Sequence, residues 1–437
     1  MCACGLFPFP RPHPSSRRGE HGRAKEAKAD RRRACSRCGG QRLMTTARLD
    51  SAPDLREHLL TRVLPFWADH GIDQESGGYI THLARDGSVA DARHKHLVTQ
   101  TRMVYSFAAG VALGGPPEWA NLARQGLDFL LRWFRDVEHD GWFWSVSRRG
   151  SPHETAKRTY GHAFATYALA EYARLLGDSR ALASAIHTWS VILDRFWDPE
   201  RGGVIEACDR GWEPTDRGHT MGTHLHTLEA LLALGEATNS EVYWPHVRAV
   251  ADLIARRMVE AQHRCGLERF LPDWEEDVAS NRGLVNYGHN LEAAWLLLRV
   301  DEVENVATYR DTAKGFLDYV LRYGIDTTYG GVFSHGPLGA QASVRQKIWW
   351  VQTEALPAFL LAYLVFREAR YWDAFRNVVG FCLRCLHDPE YGEWYHSTEE
   401  DGTPRETAKG SAWKAAYHVT QACWYVHRYL SRTAAKP

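Results

Sequence analysis

The sequence lacks an excess of charge of either sign: 53 Lys and Arg stand against 53 Asp and Glu in 437 residues. Nucleic-acid binders usually carry a basic surplus, so that class is disfavoured. A long hydrophobic run is also missing. The longest, over residues 355–366, is about 12 residues, well short of the roughly 20 that span a bilayer. No G-x-x-x-x-G-K-[ST] phosphate loop, G-x-S-x-G nucleophile turn or H-E-x-x-H zinc helix occurs, which removes the usual signals for nucleotide, acyl-enzyme and zinc-protease chemistry. Beyond the first forty residues the cysteines are few and scattered: Cys208, Cys265, Cys382, Cys385 and Cys423. An odd number with no secretion signal points to reduced thiols and a cytoplasmic protein.

The zero net charge is the sum of two unlike parts. Residues 1–44 hold 11 Lys/Arg against 3 Asp/Glu, a net of +8, and the rest holds 42 against 50, a net of −8. The first part is rich in Arg, Pro, Ser and Gly, so residues 1–47 are expected to be a disordered leader, or sequence upstream of a true start at Met44. Zinc binding by Cys2, Cys4, Cys35 and Cys38 is the alternative use of that segment; the long spacing between the pairs argues against it.

What the chain has in surplus is histidine (22) and tryptophan (17). This suits chemistry on a polar ligand that stacks on aromatic rings. It also has an internal repeat. Gly-aromatic or Gly-apolar segments start near residues 77, 141, 202, 266, 330 and 392, at steps of 64, 61, 64, 64 and 62. Most are followed by a second turn such as Asp86-Gly87, Arg149-Gly150 or Asp401-Gly402, so each reads as a short hairpin. An amphipathic stretch precedes each hairpin (residues 55–68, 182–196 and 247–260 show it well), and a more apolar, Ala-rich stretch follows (101–112, 162–176, 224–234, 289–298, 350–366 and 417–430). A helix apolar nearly all round is buried. Six units of outer helix, hairpin and inner helix make an (α/α)6 barrel of twelve helices over residues 48–437, with every hairpin at the N-terminal end of the inner ring.

Matching places on the inner helices should then converge on one lumen, and they offer Arg102, His162, His226, His289, Trp350 with Glu354, and His418. His289 opens its helix, where the helix dipole favours the uncharged ring and hence a general base. Glu292 and Glu229, three residues after His289 and His226, share their helical faces and are placed to fix the ring tautomers. His224 and His226 cannot face the same way, and His226 is preferred for the lumen. Trp349, Trp350 and Trp413 lie near the inner-helix ends as stacking surfaces. The order His-x-x-Glu reverses the Glu-x-x-His of bundle metal sites, so no metal is expected.

Gln100-Thr-Arg102-Met-Val-Tyr105, Tyr160-Gly-His162, His224-Leu-His226-Thr-Leu-Glu229, Tyr287-Gly-His289-Asn-Leu-Glu292-Ala-Ala-Trp295, Trp349-Trp-Val-Gln-Thr-Glu354 and Trp413-Lys-Ala-Ala-Tyr417-His418 occur in order at barrel spacing. Together they resemble the N-acylglucosamine 2-epimerase superfamily, which also holds cellobiose and mannose 2-epimerases, mannose isomerase and sulfoquinovose isomerase. The cellobiose 2-epimerase branch is the most similar, though that branch has Asp-Ile where this chain has Asn290-Leu291, Cys-Pro at Ala415-Ala416 and Asn at Val419. The resemblance implies cofactor-free inversion of C2 in an open-chain aldose through a cis-enediolate. His289 and His418 would be the two bases, Arg102 the oxyanion partner and His226 an aid to ring opening. Trp350, Trp413, Glu292, Glu229, Glu354, His162 and Tyr105 would bind the mono- or disaccharide. Aldose–ketose isomerisation by the same residues is the near alternative. A glycoside hydrolase using Asp273, Glu275 or Glu276, or a silent sugar-binding protein, is more distant. The chain is expected to act as a monomer or homodimer, without nucleic acid or membrane.

Overall fold

In the computed structural model, residues 55–434 are described; the expected leader over 1–47 and its four cysteines lie outside them. The chain divides into a unit of residues 1–52 and a unit of residues 53–437, and all the helices below belong to the second. The outer helices are α1 (Leu55–His58, a π-helical turn Leu59–Val63, then Leu64–His70), α3 (Trp119–Trp133), α5 (Ser179–Arg195), α7 (Trp244–Arg256), α9 (Ala307–Tyr323) and α11 (Ala369–Phe381, closed by a π turn Cys382–Leu386). The inner helices are α2 (Leu97–Ala112), α4 (Thr159–Leu176), α6 (Met221–Thr238), α8 (Tyr287–Glu304), α10 (Trp349–Phe366) and α12 (Tyr417–Ala434). Each inner helix packs on the next, and α12 returns to α2, which closes the (α/α)6 barrel. The most apolar helix, α10, is long enough to cross a membrane, but it is mostly buried as one stave of the barrel.

Composition explains the two rings. The outer helices carry one apolar stripe; in α5 it is Ala181, Ala185, Trp189 and Ile192, at three- and four-residue spacing. The inner helices are buried on nearly every face, and small side chains let them crowd, as Ala163, Ala165, Ala168 and Ala170 do in α4. Four successive inner helices stop in the same way, on a residue in the left-handed region: Gly177, Asn239, Asn305 and Arg367.

The mouth is more continuous than six separate hairpins. The strand entering each inner helix pairs with the hairpin of the next repeat. Thus His94–His96 pairs with Ser145–Ser147, Lys157–Arg158 with Ala207–Cys208, His219–Thr220 with Arg269–Phe270, Leu284–Asn286 with His335–Pro337, and Lys347–Ile348 with Ser397–Thr398. A bridge between Leu83 and Gly410 joins the sixth repeat to the first. These entry strands run straight into the helices, so the first five inner helices begin one to four residues earlier than the periodicity suggests, while α12 begins at Tyr417 as expected.

Candidate active site

Two registers on the inner helices sort the polar residues. In the first, a planar side chain bonds the backbone of its own hairpin. Gln100 accepts from the Tyr79 amide and donates to the Tyr79 carbonyl, and Gln352 does the same with Val332. Asn290 accepts from the Gly266 amide and donates to the Gly266 carbonyl. His162 Nε2 accepts from the Trp142 amide at 3.1 Å while its Nδ1–H donates to the Arg158 carbonyl at 2.8 Å. His224 is bound alike by the Val204 amide and the Thr220 carbonyl. His162 therefore spends both ring nitrogens on backbone and packs against Phe196 and Trp212 on its outer side. The expectation that it binds substrate is corrected: it is a latch between helix and hairpin. Burial lowers its pKa to about 3, which keeps it neutral in that role.

Buried lysines stand ahead of four of the inner helices, three of them five residues before the latch residue. Lys95, Lys157, Lys347 and Lys409 pair with Asp73, Asp136, Asp326 and Asp388 at 2.6–3.1 Å. Each also donates to a hairpin carbonyl: Gly77, Asp140, Gly330 or Gly392. His219 takes the place in the third repeat and Val285 in the fourth.

The second register, two residues later, faces the lumen: Arg102, Phe164, His226, Glu292 and Glu354. His226 Nδ1 lies 3.2 Å from Glu229 Oε2 and 3.5 Å from Glu292 Oε1. Glu229 also accepts from Tyr417 at 2.6 Å and from Gln421. His418 Nδ1 is 2.8 Å from Glu354 Oε1, whose other oxygen accepts from Trp295 at 2.9 Å. Trp350 touches both outlying histidines, with its ring 5.0 Å from His289 and 6.0 Å from His418. Arg102 donates to the Trp413 carbonyl and to the Tyr160 hydroxyl, and its Nε is buried with no partner among the described residues. Tyr105 sits in a tyrosine layer with Tyr167 and Tyr417. Trp413 is half exposed at the rim, its ring 5.6 Å from Tyr160 and 5.9 Å from Trp144.

Burial sets the electrostatics. It lowers the His226 pKa to about 4, against the pull of Glu229. It lowers His418 well below the ordinary range, and the Arg102 guanidinium pushes the same way. Burial raises Glu354 to about 8. Glu292 rises well above the usual carboxylate range through burial and the neighbouring Glu354 and Glu229. Burial thus favours the uncharged forms of His226, His418, Glu292 and Glu354, beside the Arg102 guanidinium. This is a donor-rich setting for a polyhydroxylated ligand and for charge that develops on its oxygens.

The carboxylate partner of His289 was misassigned by sequence. Glu292 turns to His226, and His289 Nδ1 is held instead by Glu268 Oε2 at 2.6 Å. Glu268 comes from the fourth hairpin. Helical spacing cannot reveal such a partner, but the repeat can: Glu206 and Glu268 stand at the same hairpin position, where the backbone carbonyl accepts the first N–H of an inner helix (Thr159 and Met221). The suggested hydrolase carboxylates Asp273, Glu275 and Glu276 are exposed on a turn.

Tyr160, Glu206, Glu268, His289, Trp144 and Trp413 line a cavity of about 490 Å³ at the mouth. A cavity of about 730 Å³ opens at the other end of α6, α8 and α12, but it contains no histidine, and Arg299 and Arg428 there are tied to Glu236. Gly222 makes room for the His289 ring, since a Cβ there would lie 3.3 Å from Cε1 and Nε2. Gly222→Ala should leave the melting temperature unchanged or higher, because Ala is the better helix former. It should lower kcat about tenfold by displacing the ring. Steady-state kinetics beside a thermal melt separates the two effects.

A family profile described as N-acylglucosamine 2-epimerase (GlcNAc 2-epimerase) matches residues 78–422. The cellobiose 2-epimerase of Bacteroides fragilis is 27% identical over 384 residues, covering 85% of this chain and 97% of that one. The D-mannose isomerase of Marinomonas mediterranea is 26% identical over 399 residues, covering 89% and 100%. The solved cellobiose 2-epimerase of Spirochaeta thermophila matches with a TM-score of 0.80 at 30% identity, covering 86% of this chain and 96% of that one.

Proposed function

The chain belongs to the N-acylglucosamine 2-epimerase family, and on that premise we propose that it inverts C2 of a glucose- or mannose-type aldose, free or at the reducing end of a disaccharide. It is an isomerase-class enzyme. In this reading His289 and His418 are the two proton-transfer groups. The observation that carries it is their arrangement: one indole, Trp350, touches both rings, and each ring has a carboxyl on its Nδ1. Both Nε2 atoms are thereby free to face a substrate carbon.

The steps follow from the surroundings. His226 exchanges a proton with the ring oxygen or O1 as the sugar opens. One histidine takes the C2 proton. Negative charge grows on O1 and O2, where the unpartnered Arg102 Nε and the protonated Glu292 can donate. The other histidine returns a proton to the opposite face. No cofactor enters the scheme. The rim indoles of Trp413 and Trp144 would stack on a second sugar ring where there is one. No disulfide joins the five described cysteines, which supports a cytoplasmic setting.

Aldose–ketose isomerisation is the second reading, favoured by the full-length match to a mannose isomerase. The two are separated by incubating the enzyme with mannose, glucose, fructose and cellobiose in D2O and following the products by NMR. Deuterium at C2 with the C2 epimer as main product is expected. A ketose as main product would move the assignment to isomerisation, and a hydrolysed disaccharide without C2 exchange would remove both.

A further inference from the structure

We propose that Glu268 is a positioning residue that sets the tautomer of His289 and so makes its Nε2 a base; this rests on His289 being one of the two proton-transfer groups. Two side chains compete for His289 Nδ1. The Glu268 carboxylate lies 2.6 Å away and the Asn286 amide nitrogen 3.3 Å away. Asn286 is fixed in orientation. Its Oδ1 caps α8 by accepting from the Gly288 amide at 2.9 Å and the His289 amide at 3.3 Å, which turns its NH2 group toward the ring.

The competition decides the chemistry. A carboxylate demands a proton on Nδ1, and the neutral ring then presents a lone pair at Nε2. An amide NH2 demands a lone pair on Nδ1, and the neutral ring then carries its proton on Nε2 and cannot act as a base. The shorter, charge-assisted bond wins while Glu268 is present. When Nε2 takes the C2 proton, the imidazolium keeps its Nδ1–H on Glu268, and Nε2 then releases the abstracted proton to water at the mouth, which restores the neutral base. Glu268 is itself well fixed: its carbonyl accepts the Met221 amide at 2.8 Å. Its Oε1 is buried and has no partner among the described residues, so His289 is the one described side chain hydrogen-bonded to this carboxylate.

The variant Glu268→Gln keeps size and removes the acceptor preference, leaving Asn286 to set the tautomer. We expect kcat to fall about 10^3- to 10^4-fold, toward the loss seen when the orienting carboxylate of a catalytic histidine becomes an amide, with KM changed less than about threefold. In the double variant Glu268→Gln, Asn286→Asp, a carboxylate oxygen replaces the competing NH2 group, and kcat should recover at least about tenfold over the single variant. A readout independent of turnover is 15N NMR of labelled histidine. His289 should carry its proton on Nδ1 in the wild type and on Nε2 in Glu268→Gln. The same tautomer in both proteins, a kcat within about threefold of wild type, or a loss confined to KM would each overturn the proposal. A tautomer change without C2 exchange in the wild type would keep the positioning role and overturn the C2 reading instead.

Discussion

His418→Ala and His289→Ala are each expected to lower kcat by about 10^2- to 10^4-fold, the range lost with a general acid or base, while the barrel stays folded. The folding half of this expectation comes from the surroundings. His418 shares a proton with Glu354, and burial holds that carboxyl up to about 8. Removing the imidazole therefore leaves a protonated carboxyl near neutral pH, still bonded to Trp295, and not a bare buried charge. His289 is partly exposed at the mouth, so its loss opens a water-accessible gap. His162→Ala is the contrasting control. It should strip the hairpin latch from the Trp142 amide and the Arg158 carbonyl and cost about 1–3 kcal/mol of stability, with far less effect on kcat. Kinetics and thermal melts of the three variants test the division between lumen and latch. Wild-type-like turnover in either lumen variant would remove that residue from the mechanism.

Lys347→Met is expected to destabilise the fold by about 3–5 kcal/mol, the cost of breaking a buried ion pair from one side. Lys347 is fully buried, and its ammonium bonds Asp326 Oδ2, the Gly330 carbonyl and the Glu400 carbonyl, each at 2.6 Å. Burial works against both members of the pair. It pushes the lysine pKa down and the aspartate up, and in the aspartate the bond from Lys347 and the Thr328 and Tyr329 amides outweigh it. Methionine fills the stem's volume but leaves Asp326 charged and unpaired. The double variant Lys347→Met, Asp326→Asn removes that charge and should recover a large part of the loss. Denaturant melts of the four proteins give the coupling directly. Equal stability of wild type and Lys347→Met would mean that the repeated lysines do not anchor the hairpins.

The barrel was legible because its signal is global. A step of 61 to 64 residues, repeated five times, survives errors in any one helix. The paired lumen carboxylates were harder to read. A three-residue helical offset correctly joined His226 to Glu229. The same offset failed for His289, whose partner comes from a hairpin 21 residues earlier. Helical periodicity reads neighbours on one helix and is blind to what a loop brings across. The histidines misled for a different reason. His162 and His226 both lie near the start of inner helices, but they occupy registers two residues apart, and on a helix that step turns a side chain from lumen to hairpin. Composition cannot see this. The four Lys–Asp anchors also escaped notice, because a charged residue beside a turn reads as solvated until the fold buries it.

The central claim is proton transfer at C2 by two groups on opposite faces. It is tested most directly by a single turnover of mannose carrying deuterium at C2, in ordinary water with enzyme in excess. If one histidine removes the deuteron and the other supplies a proton, the glucose formed carries hydrogen at C2 and no deuterium elsewhere. Deuterium recovered at C1 of a ketose would mean that one group works on one face, and would contradict the account.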